Sequence, residues 1–288
     1  MKFLIISSKI SELTKDLINE IKLNNHTYNF SRTKDFILEL DNNKFKASTS
    51  KIPDLFDFDI YLFRSFSKNM TNSRIFIEEL RLRKKIVIEG CVSDNYINSK
   101  FAEGVRLTRN GINYPQTYQI PDLKNTKNLP KNIFPVIIKP SDGSKGRDIK
   151  IIKNKIELKK ILAKTSEDFL IQEYLKIKWD LRVFVVNGKA LGGIKRHILK
   201  GDCRSNASLG SKFENFDLTP EIKKIAEKAT KIMRYEVAGV DLAWPENKKK
   251  WYVFEVNISP QWKAFKNATN INPAKYIIKR AIEMYNKK

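Results

Sequence analysis

Closely spaced strand-like runs between residues 135 and 196 restrict the possible folds of this chain more than any other feature. The last two runs, 181–186 and 189–196, flank Asn187-Gly188, a dipeptide typical of a tight hairpin turn. The pattern therefore predicts a sheet with antiparallel neighbours in this part of the chain. The remaining runs are 135–139, 148–152 and 169–174.

The residues before this stretch alternate between strand and helix patterns. Short apolar runs are followed by apolar positions at helical spacing, once after the candidate N-cap Ser11 and once over 71–83. Such alternation predicts a small parallel α/β lobe that ends near residue 93. The opening run contains Ser and Lys and lacks a small-residue cleavage site, so it indicates a first strand and not a signal peptide. The apolar runs are 2–7, 59–64 and 85–89.

Three later helices are indicated by N-cap residues and, in two cases, by a proline that follows the cap. Gly111 is a candidate end of the first of these helices. Residues 121–132 are rich in Pro, Asn and Lys, which indicates an exposed loop. The candidate caps are Asn98 or Ser99, Thr219 before Pro220, and Asn272 before Pro273.

Charge and composition restrict the class of protein. The 288 residues carry a formal net charge of +23, with lysines spread along the whole chain. This charge attracts nucleic acids, nucleotides, acidic peptides and anionic lipid surfaces, but the even spread disfavours a dedicated nucleic-acid-binding arm. No apolar run approaches the roughly 20 residues of a membrane span. Cys91 and Cys203 have no metal or redox spacing, which indicates a reducing cytoplasm.

The segment AGVDLAWPENKKKWYVFEVNISP is the most informative for chemistry. Glu255 and Asn257 are two apart on a predicted strand, so their side chains leave the same face. A five-residue loop, 246–250, would place Asp241 directly opposite Glu255, whereas an even-length loop would place the two carboxylates on opposite faces. The first pairing predicts three oxygen ligands that suit Mg²⁺. A solvent-facing polar stripe is the alternative.

A second candidate site lies in the segment PVIIKPSDGSKGRDIKII. Its first strand-like run ends in Lys139, and Gly143 and Gly146 follow in a loop. Glycines let backbone N–H groups approach phosphates closely, and lysines add positive charge. The spacing matches neither a Walker A motif nor a dinucleotide fingerprint, so a simple glycine-containing hairpin is the competing interpretation.

Two further segments carry charged pairs or clusters. Asp180 and Arg182 share a face of one predicted strand, where an ordinary surface pair is the alternative. Arg196 and Arg204 lie in KRHILKGDCRSNASLGS, and guanidinium groups match the geometry of carboxylates and phosphates. For this segment, a flexible basic loop is the competing interpretation.

Taken in order, these segments resemble the ATP-grasp superfamily and, within it, the RimK-type glutamate ligases. The resemblance covers about residues 86–288 and is carried by INSKFAEGVRLTRNGINYPQTY, GDCRSNASLG, AEKATKIMRYEVAGVDL and FEVNISP. It implies an ATP-grasp fold of the α/β (α+β) class, with an N-terminal α/β lobe over 1–93 and an ATP-grasp domain over 94–288. The latter would divide into subdomains of about 94–172 and 173–288 that clasp ATP.

The resemblance assigns roles to matching positions. It implies Mg²⁺, with Mn²⁺ as an alternative, held by Asp241, Glu255 and Asn257. The implied catalytic residues are Arg182, Arg196 and Arg204, of which Arg182 and Arg196 would hold the acyl phosphate or the substrate carboxylate. The residues implied to bind ATP are Lys100, Lys139, Ser141, Gly143, Ser144, Gly146, Glu173, Tyr174, Asp180, Arg204, Ser205 and Asn206.

Within the implied ATP site, the parts of the nucleotide are matched to different positions. Lys139 and the loop 141–147 would contact the phosphates. Glu173 and Tyr174 would meet the adenine, and Asp180 would meet the ribose.

The activity implied is ATP-dependent carboxylate–amine ligation through an acyl phosphate. The expected partners are ATP and an acidic amino acid such as glutamate or a peptide or protein carboxylate, in the cytoplasm and without a membrane; a homo-oligomer is left open. The alternatives are a peptide-macrocyclising ATP-grasp ligase and a basic nucleic-acid-associated protein with a non-ligating ATP-grasp fold.

Two segments depart from the family pattern. Arg147-Asp148 stand where many relatives have another Gly and an apolar residue, and Gln261-Trp262 stand where relatives often have Gly and a different residue. The second departure is expected near the acceptor side of the site, so it predicts an unusual substrate. The first lobe matches only in its α/β pattern, so glutamate as the amine donor rests on analogy.

Overall fold

The strands form four sheets in the computed structural model, which describes residues 1–64, 70–94, 99–120, 123–140, 150–163, 169–198 and 212–288. The first part of the chain contains β1 Lys2–Ile6, α1 Glu12–Leu23, β2 Thr27–Ser31, β3 Ile37–Asp41, β4 Lys44–Ser48, β5 Ile60–Phe63, α2 Met70–Leu82 and β6 Ile86–Ile88.

A parallel sheet of order β2-β1-β5-β6 forms the first lobe, in agreement with the predicted β–α alternation. The strands β5 and β6 and all of β1 after Lys2 are apolar and buried, because both faces of the sheet are covered there. Phe3 and Ile5 belong to the core that includes α1, whereas Leu4 and Ile6 belong to the core that includes α2. The hydroxyl of Ser11 caps α1, as its position indicates. The sequence pattern does not indicate the β3–β4 hairpin, most of whose residues are exposed.

An antiparallel sheet of order β7-β10-β8-β9 follows the first lobe. The predicted exposed loop at 121–132 is wrong in part, since turns of 3-10 helix form there and Leu129 packs into the core of this sheet. Ser99 caps the helix that lies between the first lobe and this sheet in the chain, by accepting a hydrogen bond from the N–H of Ala102. The elements are α3 Lys100–Arg109, β7 Thr117–Gln119, β8 Val136–Pro140, β9 Lys150–Ile152, α4 Lys155–Leu162 and β10 Phe169–Glu173.

The last sheet is antiparallel and has the order β13-β12-β11-β14-β15. One helix covers one face of this sheet through an apolar stripe that includes Ile222, Ala226 and Ala229. The final two helices join the sheet to the first lobe in a single shared core. The elements are β11 Trp179–Val186, β12 Lys189–His197, β13 Phe213–Phe216, α5 Pro220–Met233, β14 Val237–Ala243, β15 Tyr252–Ile258, α6 Lys263–Thr269 and α7 Pro273–Asn286.

The register of the β14–β15 hairpin brings Asp241 directly opposite Glu255. The expected five-residue loop is wrong, because the connection runs from 244 to 251 and has an even length. A register shift between Asp241 and Leu242 compensates: Leu242 pairs with Val253, and Asp241 then pairs with Glu255. A one-residue irregularity of this kind moves every later side chain to the other face of the sheet. This irregularity therefore places Asp241 directly opposite Glu255.

Candidate functional site

Three charged residues lie in one row across three adjacent strands of the last sheet. Arg182 pairs with Asp241 across β11 and β14, and Asp241 pairs with Glu255 across β14 and β15. The guanidinium of Arg182 donates from Nε and Nη2 to both oxygens of Asp241, each at 2.7 Å. Directly paired residues on neighbouring strands have side chains close enough to interact, so the row is a consequence of strand register.

Asp241 is buried, and its carboxylate is held in the charged form. Burial favours the neutral acid, but Arg182 and Arg196 outweigh it and lower the pKa of Asp241 below its ordinary value. Arg196 contributes a further contact, 3.2 Å from Nη2 to Oδ1 of Asp241. Asp241 is therefore a fixed negative charge at neutral pH.

Asp180 and Arg196 form a second buried pair beside this row. They lie opposite each other on β11 and β12, and Arg196 donates to both oxygens of Asp180 at 2.6 and 2.9 Å. Arg196 therefore bridges Asp180 and Asp241, and the three predicted residues Asp180, Arg182 and Arg196 come together on one face. The pKa of Arg196 is raised, because these two carboxylates outweigh the effect of burial.

Asn257 completes the predicted oxygen-ligand cluster. Its Nδ2 donates to Oδ2 of Asp241 at 3.1 Å and to the carbonyl of Gly239 at 3.3 Å, which leaves its amide oxygen as an acceptor. Within the described residues, no group of three or more His, Cys, Asp and Glu side chains is suited to a metal. The cluster consists of two carboxylates and one amide. That donor set fits a hard divalent cation such as Mg²⁺.

Lys139 lies on β8 of the β7-β10-β8-β9 sheet, and it is buried. Its ammonium donates to Oε1 of Gln172 at 3.0 Å, and Gln172 in turn donates to the hydroxyl of Thr117 at 2.7 Å. Burial and the charge of Lys100 lower the pKa of Lys139 to about 8, against the opposing effect of Glu255 and Glu103. The predicted phosphate lysine is thus held in place by an amide rather than by a carboxylate.

Glu103 is part of the site although the sequence analysis does not single it out. It lies on α3, is buried, and accepts a hydrogen bond at Oε2 from the N–H of Val256 on β15. Its Oε1 has no hydrogen-bond partner among the described residues. Burial and the nearby charge of Glu255 raise the pKa of Glu103 to about 8. Glu103 could have been found from the sequence by its spacing from Lys100, because residues three apart lie on the same side of a helix.

Lys100 is partly buried at the first turn of α3, and the position of this helix depends on a close contact. Gly104 faces the ring of Tyr114, where a Cβ atom would come within 2.6 Å of a ring carbon. The hydroxyl of Tyr114 donates to the carbonyl of Lys100 at 3.3 Å. A glycine is therefore required at 104 for α3 to approach this part of the chain.

Glu173 and Tyr174, the predicted adenine-contacting residues, lie at and just after the end of β10. The N–H of Gln116 donates to Oε1 of Glu173 at 3.0 Å, and Lys248 forms an ion pair with its Oε2 at 2.7 Å. The N–H of Tyr174 donates to the carbonyl of Pro135. Lys248 belongs to the β14–β15 connection, so this ion pair links the β7-β10-β8-β9 sheet to the last sheet.

Some predicted ATP-binding residues lie outside the described residues. These are Ser141, Gly143, Ser144 and Gly146 of the glycine-containing loop, and Arg204, Ser205 and Asn206 of the later basic segment.

Trp262, one of the two residues that depart from the family pattern, is a core residue. It is fully buried, its indole N–H donates to Oδ2 of Asp16 at 3.0 Å, and its ring packs edge-on against Phe184. Gln261 is exposed. Only Gln261 of this pair can therefore meet a substrate directly.

Arg64 connects the first lobe to the segment that follows Asn257. It comes directly after β5, its Nη2 donates to the carbonyl of Pro260 at 3.2 Å, and its guanidinium carbon lies 4.8 Å from the centre of the Trp262 ring. The hydroxyl of Ser259 donates to the carbonyl of Arg64 at 2.5 Å. The carboxyl end of β5 is thus in contact with the segment next to the oxygen-ligand cluster. In the part of the chain that is described, no helix has the length and apolar character needed to cross a membrane.

Comparison with known proteins relates most of the chain to one family. The family model described as a RimK-like ATP-grasp domain matches residues 98–281. The coenzyme γ-F420-2:α-L-glutamate ligase of Methanococcus maripaludis is 32% identical over 180 residues, which cover 59% of this chain and 61% of that protein. The glutamate–LysW ligase ArgX of Sulfurisphaera tokodaii is 32% identical over 162 residues, covering 54% of this chain and 57% of that protein. The matches thus span about three fifths of these relatives.

A solved structure extends the likeness to the first lobe. The ATP-grasp ligase PsnB, in complex with a phosphomimetic variant of its minimal precursor, Mg and ADP, superposes with a TM-score of 0.76 at 14% identity. The superposition covers 98% of each chain. At this identity the likeness concerns the fold alone, and it confirms the mixed α/β architecture of the ATP-grasp type.

Proposed function

The chain belongs to the family of RimK-like ATP-grasp domains, and we propose that it is an ATP-dependent carboxylate–amine ligase. One observation carries the proposal: Asp241 and Glu255 are paired residues across a hairpin, beside Asn257, and the buried Lys139 lies within electrostatic range of Glu255. ATP-grasp ligases use ATP and Mg²⁺, and this arrangement offers oxygen ligands for the cation and a positive charge for the phosphates.

The proposed reaction has two steps. An oxygen of the substrate carboxylate attacks the γ-phosphorus of ATP, the bond from that phosphorus to the β-phosphate oxygen breaks, and ADP leaves. An amine nitrogen then attacks the acyl carbon, the bond to the phosphate oxygen breaks, and the amine proton passes to solvent. Phosphorylation is needed because a carboxylate is a poor electrophile without a leaving group.

The side chains contribute charge and position rather than covalent chemistry. Lys139 and Lys100 would bind phosphates, and Arg182 and Arg196 would offset the charge that develops on the transferred group. Asp241, Glu255 and Asn257 would hold Mg²⁺, which supplies Lewis-acid stabilisation of the phosphate oxygens when bound. Proposed contacts to the rest of the nucleotide are Glu173 and Tyr174 with adenine, Asp180 with ribose, and Ser141, Gly143, Ser144, Gly146, Arg204, Ser205 and Asn206 with the phosphates and the nucleotide.

For the substrates, we propose addition of an amino acid such as glutamate to a peptide or protein. The names of the relatives from Methanococcus maripaludis and Sulfurisphaera tokodaii, both glutamate ligases, support this class. A cytoplasmic location, Mn²⁺ as an alternative cation and a homo-oligomeric state belong to the same proposal. So does a division into 1–93, 94–172 and 173–288, which the separate sheets support.

The test combines nucleotide binding with ADP release. The purified chain should bind Mg–ATP and release ADP when amino acids are screened against peptides that end in acidic residues. Glu255→Ala should weaken Mg–ATP binding by about 10- to 100-fold, since a direct ligand is lost. Glu246→Ala removes an exposed carboxylate of the same hairpin and should leave binding unchanged. If Glu255→Ala and Lys139→Ala both bind and hydrolyse ATP like the parent, the assignment is wrong.

Mass spectrometry of the products separates ligation from the alternatives. Addition of an amino acid to a peptide indicates the proposed ligase, whereas loss of one water from a single peptide indicates a macrocyclising ligase. Salt-sensitive oligonucleotide binding without ADP release under any substrate mixture would favour the nucleic-acid-associated alternative.

A further inference from the structure

An open groove of about 560 Å³ lies over the carboxyl ends of β1 and β2 in the first lobe. Its walls come from the residues that directly follow β1, from the end of β2, and from the residues that follow β4. In an open parallel sheet, ligands bind at the carboxyl ends of the strands, close to the point where the strand order reverses. Here the order β2-β1-β5-β6 reverses between β1 and β5, so the groove is next to that point.

The groove lies at the same edge of the first-lobe sheet as Arg64, the residue that contacts the segment following Asn257. Arg64 directly follows the neighbouring strand β5, and its carbonyl accepts the hydrogen bond from Ser259. Adjacent strands are about 4.8 Å apart, so the step from β5 to β2 is roughly 10 Å. An extended peptide covers that distance with about three residues.

The charge of the groove is positive and only partly compensated. Arg32, Lys9 and Lys51 line it, together with a single acidic side chain, Asp35. Asp35 is already engaged by Arg32, whose Nη2 donates to its Oδ1 at 3.0 Å. Lys9 and Lys51 are exposed and form no ion pair with any carboxylate in the described ranges. Two uncompensated cations therefore face the groove.

Apolar side chains share the walls with these cations. Ile10 and Ile37 line the groove, and each is 54% exposed, while Phe30 is half-buried beside them. Exposed isoleucines next to free lysines complement a chain that presents both carboxylates and apolar groups. A small acidic metabolite would use the cations and leave the apolar walls in water.

We propose that this groove binds an acidic, partly apolar segment of the peptide or protein substrate, away from the group that reacts. The inference rests on the proposed function, because a ligase acting on a peptide must hold its substrate beyond the reacting group. It names the first lobe as the source of substrate selection and assigns Lys9 and Lys51 to the charge of the substrate.

The test measures peptide binding without ATP, so that it is independent of catalysis. A short fluorescently labelled peptide in which Glu alternates with Leu is titrated with the full chain, and the change in anisotropy is compared with that of the Gln/Leu counterpart. The parent protein should bind the Glu/Leu peptide about tenfold more tightly, as expected for a few exposed charge pairs. The double variant Lys9→Glu/Lys51→Glu should lose this preference.

Matched variants separate the groove from the general charge of the protein. Lys223→Glu/Lys224→Glu makes the same charge change at exposed positions of α5 and should keep the preference. Ile10→Ser/Ile37→Ser should weaken the binding of both peptides by similar factors. Equal binding of the two peptides by the parent, or equal losses in the two lysine double variants, would overturn the inference. The inference would also be overturned if an oligonucleotide bound more tightly than the Glu/Leu peptide and this binding were lost in Lys9→Glu/Lys51→Glu.

The two proposals fail in different ways. Glu255→Ala should bind the Glu/Leu peptide like the parent, because Glu255 does not line the groove. Absence of ADP release together with the expected peptide preference would reject the ligase and keep the groove assignment. ADP release without any peptide preference would reject the groove assignment alone.

Discussion

Asp241 lies directly opposite Glu255 across β14 and β15, yet the two carboxylates have different partners. Both oxygens of Asp241 accept hydrogen bonds from Arg182, and Arg196 is close by. Glu255 takes part in no hydrogen bond or ion pair within the part of the chain that the structure describes. Asp241 is therefore both a structural counter-ion and a candidate metal ligand, whereas Glu255 is free for the second role alone.

The first prediction separates these two roles. Asp241→Asn should lower the free energy of unfolding by about 3–5 kcal/mol, because it removes one partner of a buried ion-pair network. Glu255→Gln should change it by less than about 1 kcal/mol, while both variants should weaken Mg–nucleotide binding. Urea titration followed by fluorescence gives the stability, and calorimetry gives the affinity. Equal loss of stability in the two variants would contradict the distinction.

The second prediction concerns the proton on Lys139. Since the pKa of this lysine is lowered to about 8, a fraction of the free protein carries a neutral Lys139 near pH 8. Phosphate binding favours the ammonium form, so Mg–ADP binding should take up a proton there, and affinity should fall as the pH rises above 8. Calorimetry in buffers with different ionisation enthalpies measures the uptake.

Two variants serve as tests of that assignment. Lys139→Met should abolish the proton uptake and weaken binding by about 10- to 100-fold, as for the loss of a hydrogen bond to a charged group. Lys150→Met, an exposed lysine on β9 of the same sheet, should do neither. Unchanged uptake in Lys139→Met would show that another group titrates.

The third prediction concerns Glu89, which is fully buried at the junction of the first lobe with the last sheet. It accepts a hydrogen bond from the N–H of Val237 at 2.9 Å, and its second oxygen has no partner in the described residues. Burial raises its pKa from 4.5 to about 8, although the charge of Arg64 acts in the opposite direction. The folded state therefore retains a proton that the unfolded chain releases above pH 4.5.

The sign of the resulting pH dependence follows from this difference. The stabilisation is fully present below about pH 4.5 and is lost as the pH rises through about 8. In that window the contribution of Glu89 to the free energy of unfolding should fall by roughly 1.4 kcal/mol per pH unit. Glu89→Gln should flatten the decline, and Glu246→Gln, at an exposed carboxylate, should not. A large loss of stability in Glu89→Gln at every pH would instead mean that Glu89 is a charged partner of Arg64.

Much of the local structure could be predicted because it depends on neighbours in the sequence. The caps Ser11 and Ser99 accept the expected hydrogen bonds, and Thr219 and Asn272 do so ahead of their prolines. A cap bonds to a backbone group only a few residues away, so its effect is visible in a short window. The chain from 121 to 132 was less predictable, because the burial of Leu129 depends on a distant core.

The sequence by itself indicated most of the residues that could form the site: the lysine at the end of a strand, and the hairpin that carries Asp241, Glu255 and Asn257. Strand periodicity and family resemblance are enough for that, since both are properties of the chain order. They are not enough for the register. With an even connection, an unbroken hairpin would place Glu255 opposite Val240, and only the irregularity after Asp241 brings the two carboxylates together.

Tertiary structure alone decided the remaining features of the site. The hydrogen bond from Lys139 to Gln172, the approach of Glu103 to Val256 and the burial of Trp262 against Asp16 join segments that are 33, 153 and 246 residues apart. No local pattern encodes such contacts, because they depend on how whole sheets and helices pack. The sequence therefore supplied the chemical groups, and packing of distant segments decided their charge states, their partners and which of them a substrate can reach.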